Sequence, residues 1–189
     1  MNIMFVHQNM PGQYREFVQW LVGRGVHNIV FLTQRKNPPK IDGVRTVIYK
    51  PHTVAKEDAY GLSRTWENAS GSGFGAAQAA KKLKESGFTP DIIIGHVGWG
   101  ELTFMKEVHP DVPIIGFFEY YYSAQGGPVG FDPASPVSEH SRYILAANNT
   151  VPLVNIEVVD LGHCPTYWQR DRFPESFHEK CYVCHDGIR

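Results

Sequence analysis

His7, His96 and Glu119 are the residues of this sequence best suited to chemistry, because each closes an apolar run: Asn2-Ile-Met-Phe-Val, Ile92-Ile-Ile-Gly and Ile114-Ile-Gly-Phe-Phe. Two imidazoles and a carboxylate can move protons, accept hydrogen bonds from hydroxyls, or ligate a metal ion. No two of them have a local chelating spacing, which weakens the metal reading. Glu101 follows His96 within the same loop, HVGWGE, and Glu119 leads into Tyr120, Tyr121 and Tyr122, whose rings could stack on a sugar or fill space under a loop. Pro11-Gly12-Gln13 is a second kind of candidate. A glycine lets backbone N–H groups approach a phosphate, and a helix that follows aims its positive end at the same place. A plain Pro-Gly turn uses the same residues.

Two further motifs match on letters alone. Gly71-Ser72-Gly73-Phe74-Gly75-Ala76 satisfies the dinucleotide pattern G-x-G-x-x-G/A. It follows a polar, helix-like stretch instead of a strand, so the small residues are expected to let a helix sit close to the sheet. Cys181-Tyr182-Val183-Cys184-His185 spells the C-x-x-C-H haem-attachment pattern. On a strand, residues three apart face opposite ways, so the two thiols are expected to act as small hydrophobes on the last strand.

The elements that must position these residues alternate between short apolar runs and helical periods. Strands are expected at 2–7, 28–33, 44–49, 90–95 and 113–118, with a last run at 181–184. Tyr14, Phe17, Val18, Leu21 and Val22 share one helical face, and Gly25 is placed to end that helix. Helices are also expected over 58–86, around 101–108, over 138–160 with a kink at Pro152, and from Pro165 onward. This alternation predicts an α/β domain, Rossmann-like and doubly wound, whose largely parallel sheet carries helices on both faces in the order 3-2-1-4-5. Ligands of such sheets bind at the carboxyl ends of the strands near the point where strand order reverses. His7, Gly12, His96, Glu101 and Glu119 should therefore converge.

Composition narrows the function classes. The chain has 189 residues, with 18 Lys and Arg against 19 Asp and Glu, and that near-neutral balance gives no general pull toward nucleic acid or an anionic membrane. No cationic segment precedes the first apolar run, and no stretch approaches the roughly 20 apolar residues of a membrane span. A cytoplasmic protein is expected. Its three cysteines, an odd number, point to reduced thiols and count against covalent haem, which normally requires export.

In order along the chain, MNIMFVHQNMPGQYREF, FLTQRKNPP, PDIIIGHVGWGE, IIGFFEYYY, VGFDP, CPTYWQRDRFP and HDGI together resemble the N-terminal domain of family 4 glycosyltransferases, retaining enzymes of the two-domain GT-B fold. The resemblance implies that residues 1–189 form a single acceptor-side domain, one half of a GT-B fold. The donor half carries a signature of two glutamates eight positions apart, and no such pair occurs here. It implies a hexosyltransferase-type enzyme that moves a sugar from a nucleotide-diphosphate sugar to an acceptor hydroxyl without metal or cofactor, the fragment alone being inactive. Pro11, Gly12 and Gln13 would approach the donor phosphate and sugar. Glu119 and His96 become the catalytic candidates, Glu119 near a position where many members carry a histidine. His7, Glu101, Tyr120 and Tyr121 would form the acceptor-side cleft. The implied partners are a nucleotide-sugar and a sugar or glycoconjugate, with no nucleic acid and with room for peripheral membrane contact by the full-length enzyme. His185-Asp186-Gly187-Ile188 resembles the turn into the second domain, with Arg189 where an Asp is usual. Two other readings stay open: a stand-alone nucleotide- or sugar-binding module, and a metal-dependent hydrolase on His7, His96 and Glu119.

Overall fold

A computed structural model describes residues 1–127 and 129–186. Seven strands, β1 (Asn2–Val6), β2 (Asn28–Thr33), β3 (Val44–Ile48), β4 (Ile92–His96), β5 (Ile114–Phe117), β6 (Leu161–Cys164) and β7 (Cys181–Val183), form one sheet in the order β3-β2-β1-β4-β5-β6-β7. Every neighbouring pair is parallel. The helices are α1 (Arg15–Gly23), α2 (Arg64–Glu85), α3 (Met105–Val108), α4 (Glu139–Asn148), α5 (Thr150–Val158), α6 (Tyr167–Arg170) and α7 (Glu175–His178). This is the expected Rossmann-like α/β architecture. Strand order reverses between β1 and β4, which puts the ends of those two strands at the switch point.

The continuous apolar runs of β1, β2 and β4 are explained by burial on both faces. Ile3, Phe5, Ile29, Phe31 and Ile94 face Val18 and Leu21 of α1. Met4, Val6, Val30, Leu32 and Ile93 belong to the opposite core with Ala76, Ala80 and Leu83 of α2. Helix α1 ends as expected, with Gly25 at φ +67° and its N–H on the Val22 carbonyl at 2.9 Å. Phe17, expected on its buried face, is 43% exposed.

Two expectations need correction. The helix expected over 138–160 is two helices, and the break falls at Asn149, not at a Pro152 kink. Ser138 caps α4 by accepting the Ser141 N–H at 3.1 Å. Asn149 is buried and clasps the backbone of Tyr122, accepting its N–H at 2.7 Å and donating to its carbonyl at 2.8 Å. Pro152 lies in the first turn of α5, where a missing N–H costs nothing. The second correction is β6, a strand absent from the sequence reading. Leu161-Gly162-His163-Cys164 is too short and too mixed to show a strand pattern, and its register beside β5 and β7 comes from the sheet. Gly162 is required there, since a Cβ would run into the Phe177 ring.

Glycines in α2 serve backbone approach, as expected, but to loops instead of the sheet face. A Cβ on Gly71 or Gly75 would run into the carbonyl oxygens of Thr53 and Lys50, just after β3. Gly75→Ala should therefore destabilise the fold by about 1–3 kcal/mol, although alanine is the better helix former. Gly23→Ala in α1, where the new methyl meets open space, should instead stabilise by up to about 1 kcal/mol. Urea unfolding of both variants checks the opposite signs.

Candidate active site

Parallel pairing brings the ends of β1, β4 and β5 side by side, with Val6 opposite Gly95 and His96 opposite Phe117. His7 and His96 consequently meet, their rings 5.6 Å apart and nearly perpendicular. Both are held in the same way. The Asn9 N–H donates to Nδ1 of His7 at 2.9 Å, and the Gly98 N–H donates to Nδ1 of His96 at 2.9 Å. Each Nδ1 is thus an acceptor, which places the ring proton on Nε2. From His96 that Nε2–H reaches Oε2 of Glu119 at 3.2 Å.

Environment separates the roles of these groups. The Glu119 carboxyl is held below its ordinary value, first by the hydrogen bond from His96 and against the pull of partial burial, so it is ionised at neutral pH. Its side chain is 40% exposed while that of His96 is 6% exposed, which makes Glu119 the member of the pair open to a ligand. His7 is lowered to about 4, mainly by burial and then by His96. Glu101 is pushed up to about 7 by burial, with its own backbone N–H first among the nearby donors that offset part of the rise. Neither Glu101 oxygen has a well-formed hydrogen bond among the described residues.

A cleft of about 600 Å³ opens beside the His96–Glu119 pair. Of the residues expected there, His96, Glu119 and Tyr120 line it. His7 stands behind His96 and is only 6% exposed. Glu101 is wholly buried and forms no part of the cleft wall, because its loop turns inward after β4 to pack Leu102 and Met105 into the core. Tyr121 packs against Phe173, and Tyr122 takes the cleft position instead. Alternate residues of this extended segment face opposite ways, so Tyr120 and Tyr122 lie together, rings 6.3 Å apart. Pro11, Gly12 and Gln13 also stand outside the cleft lining. Gly12, at φ +53°, lies against His7, where a Cβ would come within 2.9 Å of the imidazole. Thr33 anchors this loop, accepting the Met10 N–H at 3.2 Å and donating to the Gln8 carbonyl at 2.9 Å.

Sequence reading missed much of the wall: Gln34, Asn68, Ser72, Trp99 and Asn148. Gln34 and Trp99 were within reach, since each follows the end of a central strand. Asn68 and Ser72 sit on α2 and Asn148 ends α4, where no local pattern marks them. Among the described residues no group of three His, Cys, Asp or Glu is arranged to hold a metal ion, and no helix is long and apolar enough to cross a membrane. The C-x-x-C-H pattern makes no joint site. Cys181 lies partly buried beside Cys164 of β6, while Cys184 follows β7 and is exposed, which corrects its expected place on the strand. The turn residues Gly187 and Ile188, with Arg189, lie outside the described residues.

A single parallel sheet with its switch point at an imidazole–carboxylate pair defines a Rossmann-like α/β domain with a candidate ligand site at its strand ends. The model of the glycosyl transferase family 4 group matches residues 25–189, so the chain belongs to that family. Among solved structures, Os79 from O. sativa in complex with UDP is 10% identical, covering 88% of this chain and 47% of its own, with a TM-score of 0.57. The catalytic domain of starch synthase IV from Arabidopsis thaliana, bound to ADP and acarbose, is 11% identical over 99% of this chain and 51% of its own, with a TM-score of 0.56. UGT2 of Phytolacca americana, complexed with UDP-2fluoro-glucose and pterostilbene, is 14% identical over 88% and 47%, with a TM-score of 0.51. The chain thus spans about half the length of these structures. No curated protein matches the sequence.

Proposed function

We propose that this chain is the acceptor-side domain of a retaining, metal-independent glycosyltransferase, hexosyltransferase in type, that moves a sugar from a nucleotide-diphosphate sugar to an acceptor hydroxyl. The observation that carries this reading is the Glu119–His96 pair at the wall of an open cleft, at the strand ends where such folds bind ligands. Glu119, ionised and open to the cleft, accepts hydrogen bonds from sugar hydroxyls. Its negative charge also faces the positive charge that develops at the anomeric carbon as the donor bond breaks. A carboxyl held this low is a weak base, so proton removal from the acceptor falls to the leaving phosphate. His96 is a positioning residue, fixing Glu119 through Nε2–H. Gly12 and its neighbours supply the donor-side loop across His7, and a facing second domain holds the nucleotide.

Calorimetric titration of the 189-residue chain with UDP- and GDP-sugars tests the division of labour. Dissociation constants weaker than about 1 μM are expected, since much of the binding surface lies on the other domain. Sub-micromolar binding would contradict it.

A further inference from the structure

From the make-up of the cleft we infer that its ligand is a neutral, polyhydroxylated ring, an uncharged sugar or glycoside, and not a phosphorylated or otherwise anionic acceptor. The inference rests on the reading of this cleft as an acceptor site. Three features carry it.

The first is aromatic area. Trp99 and Tyr120 are 48% and 45% exposed although they border a cleft, and Tyr122 lies stacked beside Tyr120. A pyranose offers its C–H face to such rings, which have a large apolar body and a wet edge.

The second is hydrogen-bonding capacity of both signs. Asn68 accepts the Ala55 N–H at 2.8 Å, and Asn148 accepts the Thr65 hydroxyl at 2.6 Å, both through Oδ1. Each keeps its amide protons without a partner among the described residues. Gln34 donates through Nε2 to Tyr49 and Ser72 at 3.1 and 3.0 Å, which leaves its Oε1 to accept. Paired neutral donors and acceptors suit hydroxyl groups, each of which gives one bond and takes others.

The third is charge. Among the described residues no lysine or arginine lines the cleft, and its one ionised group is the Glu119 carboxylate. A phosphate carried by the acceptor would lose water here without gaining a cation and would meet a like charge, the donor's own phosphates being assigned to the facing domain. The first turn of α2 borders the cleft at Thr65, yet its N–H groups at Arg64 and Glu67 already donate to Tyr60 and Ser63.

The test is NMR titration of the ¹⁵N-labelled chain with the methyl α- and β-pyranosides of glucose, galactose, mannose and N-acetylglucosamine, and with maltose. Glucose 1-phosphate and glucose 6-phosphate form the anionic set. At least one neutral sugar should shift the Trp99 indole and the Asn68 and Asn148 side-chain amides, binding at least about tenfold tighter than either phosphate. Trp99→Ala should weaken that sugar roughly tenfold. Asn68→Asp keeps the acceptor for Ala55, protecting the fold, and removes the amide protons, so it too should weaken binding by roughly tenfold. Phosphates that bind as tightly as the neutral set, or a neutral set that produces no shifts, would overturn the inference. The two readings fail separately. Neutral-sugar binding without transfer in any two-domain form sinks the glycosyltransferase reading alone, and transfer to a phosphorylated acceptor sinks this inference alone.

Discussion

In the two-domain enzyme proposed above, Glu119→Gln lowers kcat by about 10²–10³-fold, the scale set by removing one electrostatic contact to a transition state. The amide keeps an oxygen for the His96 Nε2–H and nearly the same shape, so what it removes is charge. Stability should change little, because the side chain is 40% exposed and its electrostatic contribution is screened. The pH profile separates Glu119 from its support. The His96 hydrogen bond holds the Glu119 carboxyl below the ordinary 4.5, so the acid limb of kcat/KM should lie below that value. His96→Asn retains an acceptor for the Gly98 N–H, but its shorter side chain does not extend to the Nε2 position that donates to Glu119. The acid limb should then move up toward 4.5 in His96→Asn and vanish in Glu119→Gln. Stopped sugar-transfer assays between about pH 3.5 and pH 8, the range over which carboxylates and imidazoles titrate, read all three profiles. A Glu119→Gln enzyme with wild-type kcat would end the electrostatic assignment.

Folding stability should respond to pH through two buried groups that oppose each other. His7 has a folded value of about 4 against 6.5 for a free histidine, so the fold demands the neutral ring. Above 6.5 this costs nothing; as pH falls toward 4 the unfolded chain takes up a proton that the fold refuses, and stability is lost. Glu101 has a folded value of about 7 against 4.5, so the fold prefers the protonated carboxyl. Below 4.5 that costs nothing; as pH rises toward 7 the unfolded chain releases a proton that the fold retains, and stability is lost again. Each effect amounts to about 3 kcal/mol at full development. In the wild type they offset one another between about pH 4.5 and 6.5. Single substitutions should expose them. Glu101→Gln removes the second slope, so its stability relative to wild type should improve as pH rises through that window. His7→Asn, which keeps an acceptor for the Asn9 N–H, should lose stability relative to wild type over the same rise. Urea denaturation at half-unit pH steps across that window, about five points, measures both differences. Parallel slopes in all three proteins would show that neither group titrates as described.

Much of the fold was legible because strands buried on both faces must be apolar throughout. The runs that became β1, β2, β4 and β5 stand out from the residues alone, and they place His96 and Glu119 at adjacent ends of a parallel sheet. β6 escaped because an edge-side strand of four residues, two of them glycine and histidine, carries no pattern. Asn149 was hidden for a similar reason: its role as a clasp on Tyr122 exists only after the segment that follows β5 meets the end of α4.

The sequence by itself determined the first five strands and their order, the switch point and the chemical types gathered there, since these follow from local periodicity and from parallel pairing. Only the tertiary structure decided which of the gathered groups face a ligand. Exposure depends on how loops return to the core, and it left Glu119 open, buried Glu101 and His7, and turned Tyr121 inward in favour of Tyr122. The same packing brought neutral amides from α2 and α4 to the wall and, among the described residues, no lysine or arginine, a lining that no local pattern marks and on which the inferred preference for uncharged ligands rests.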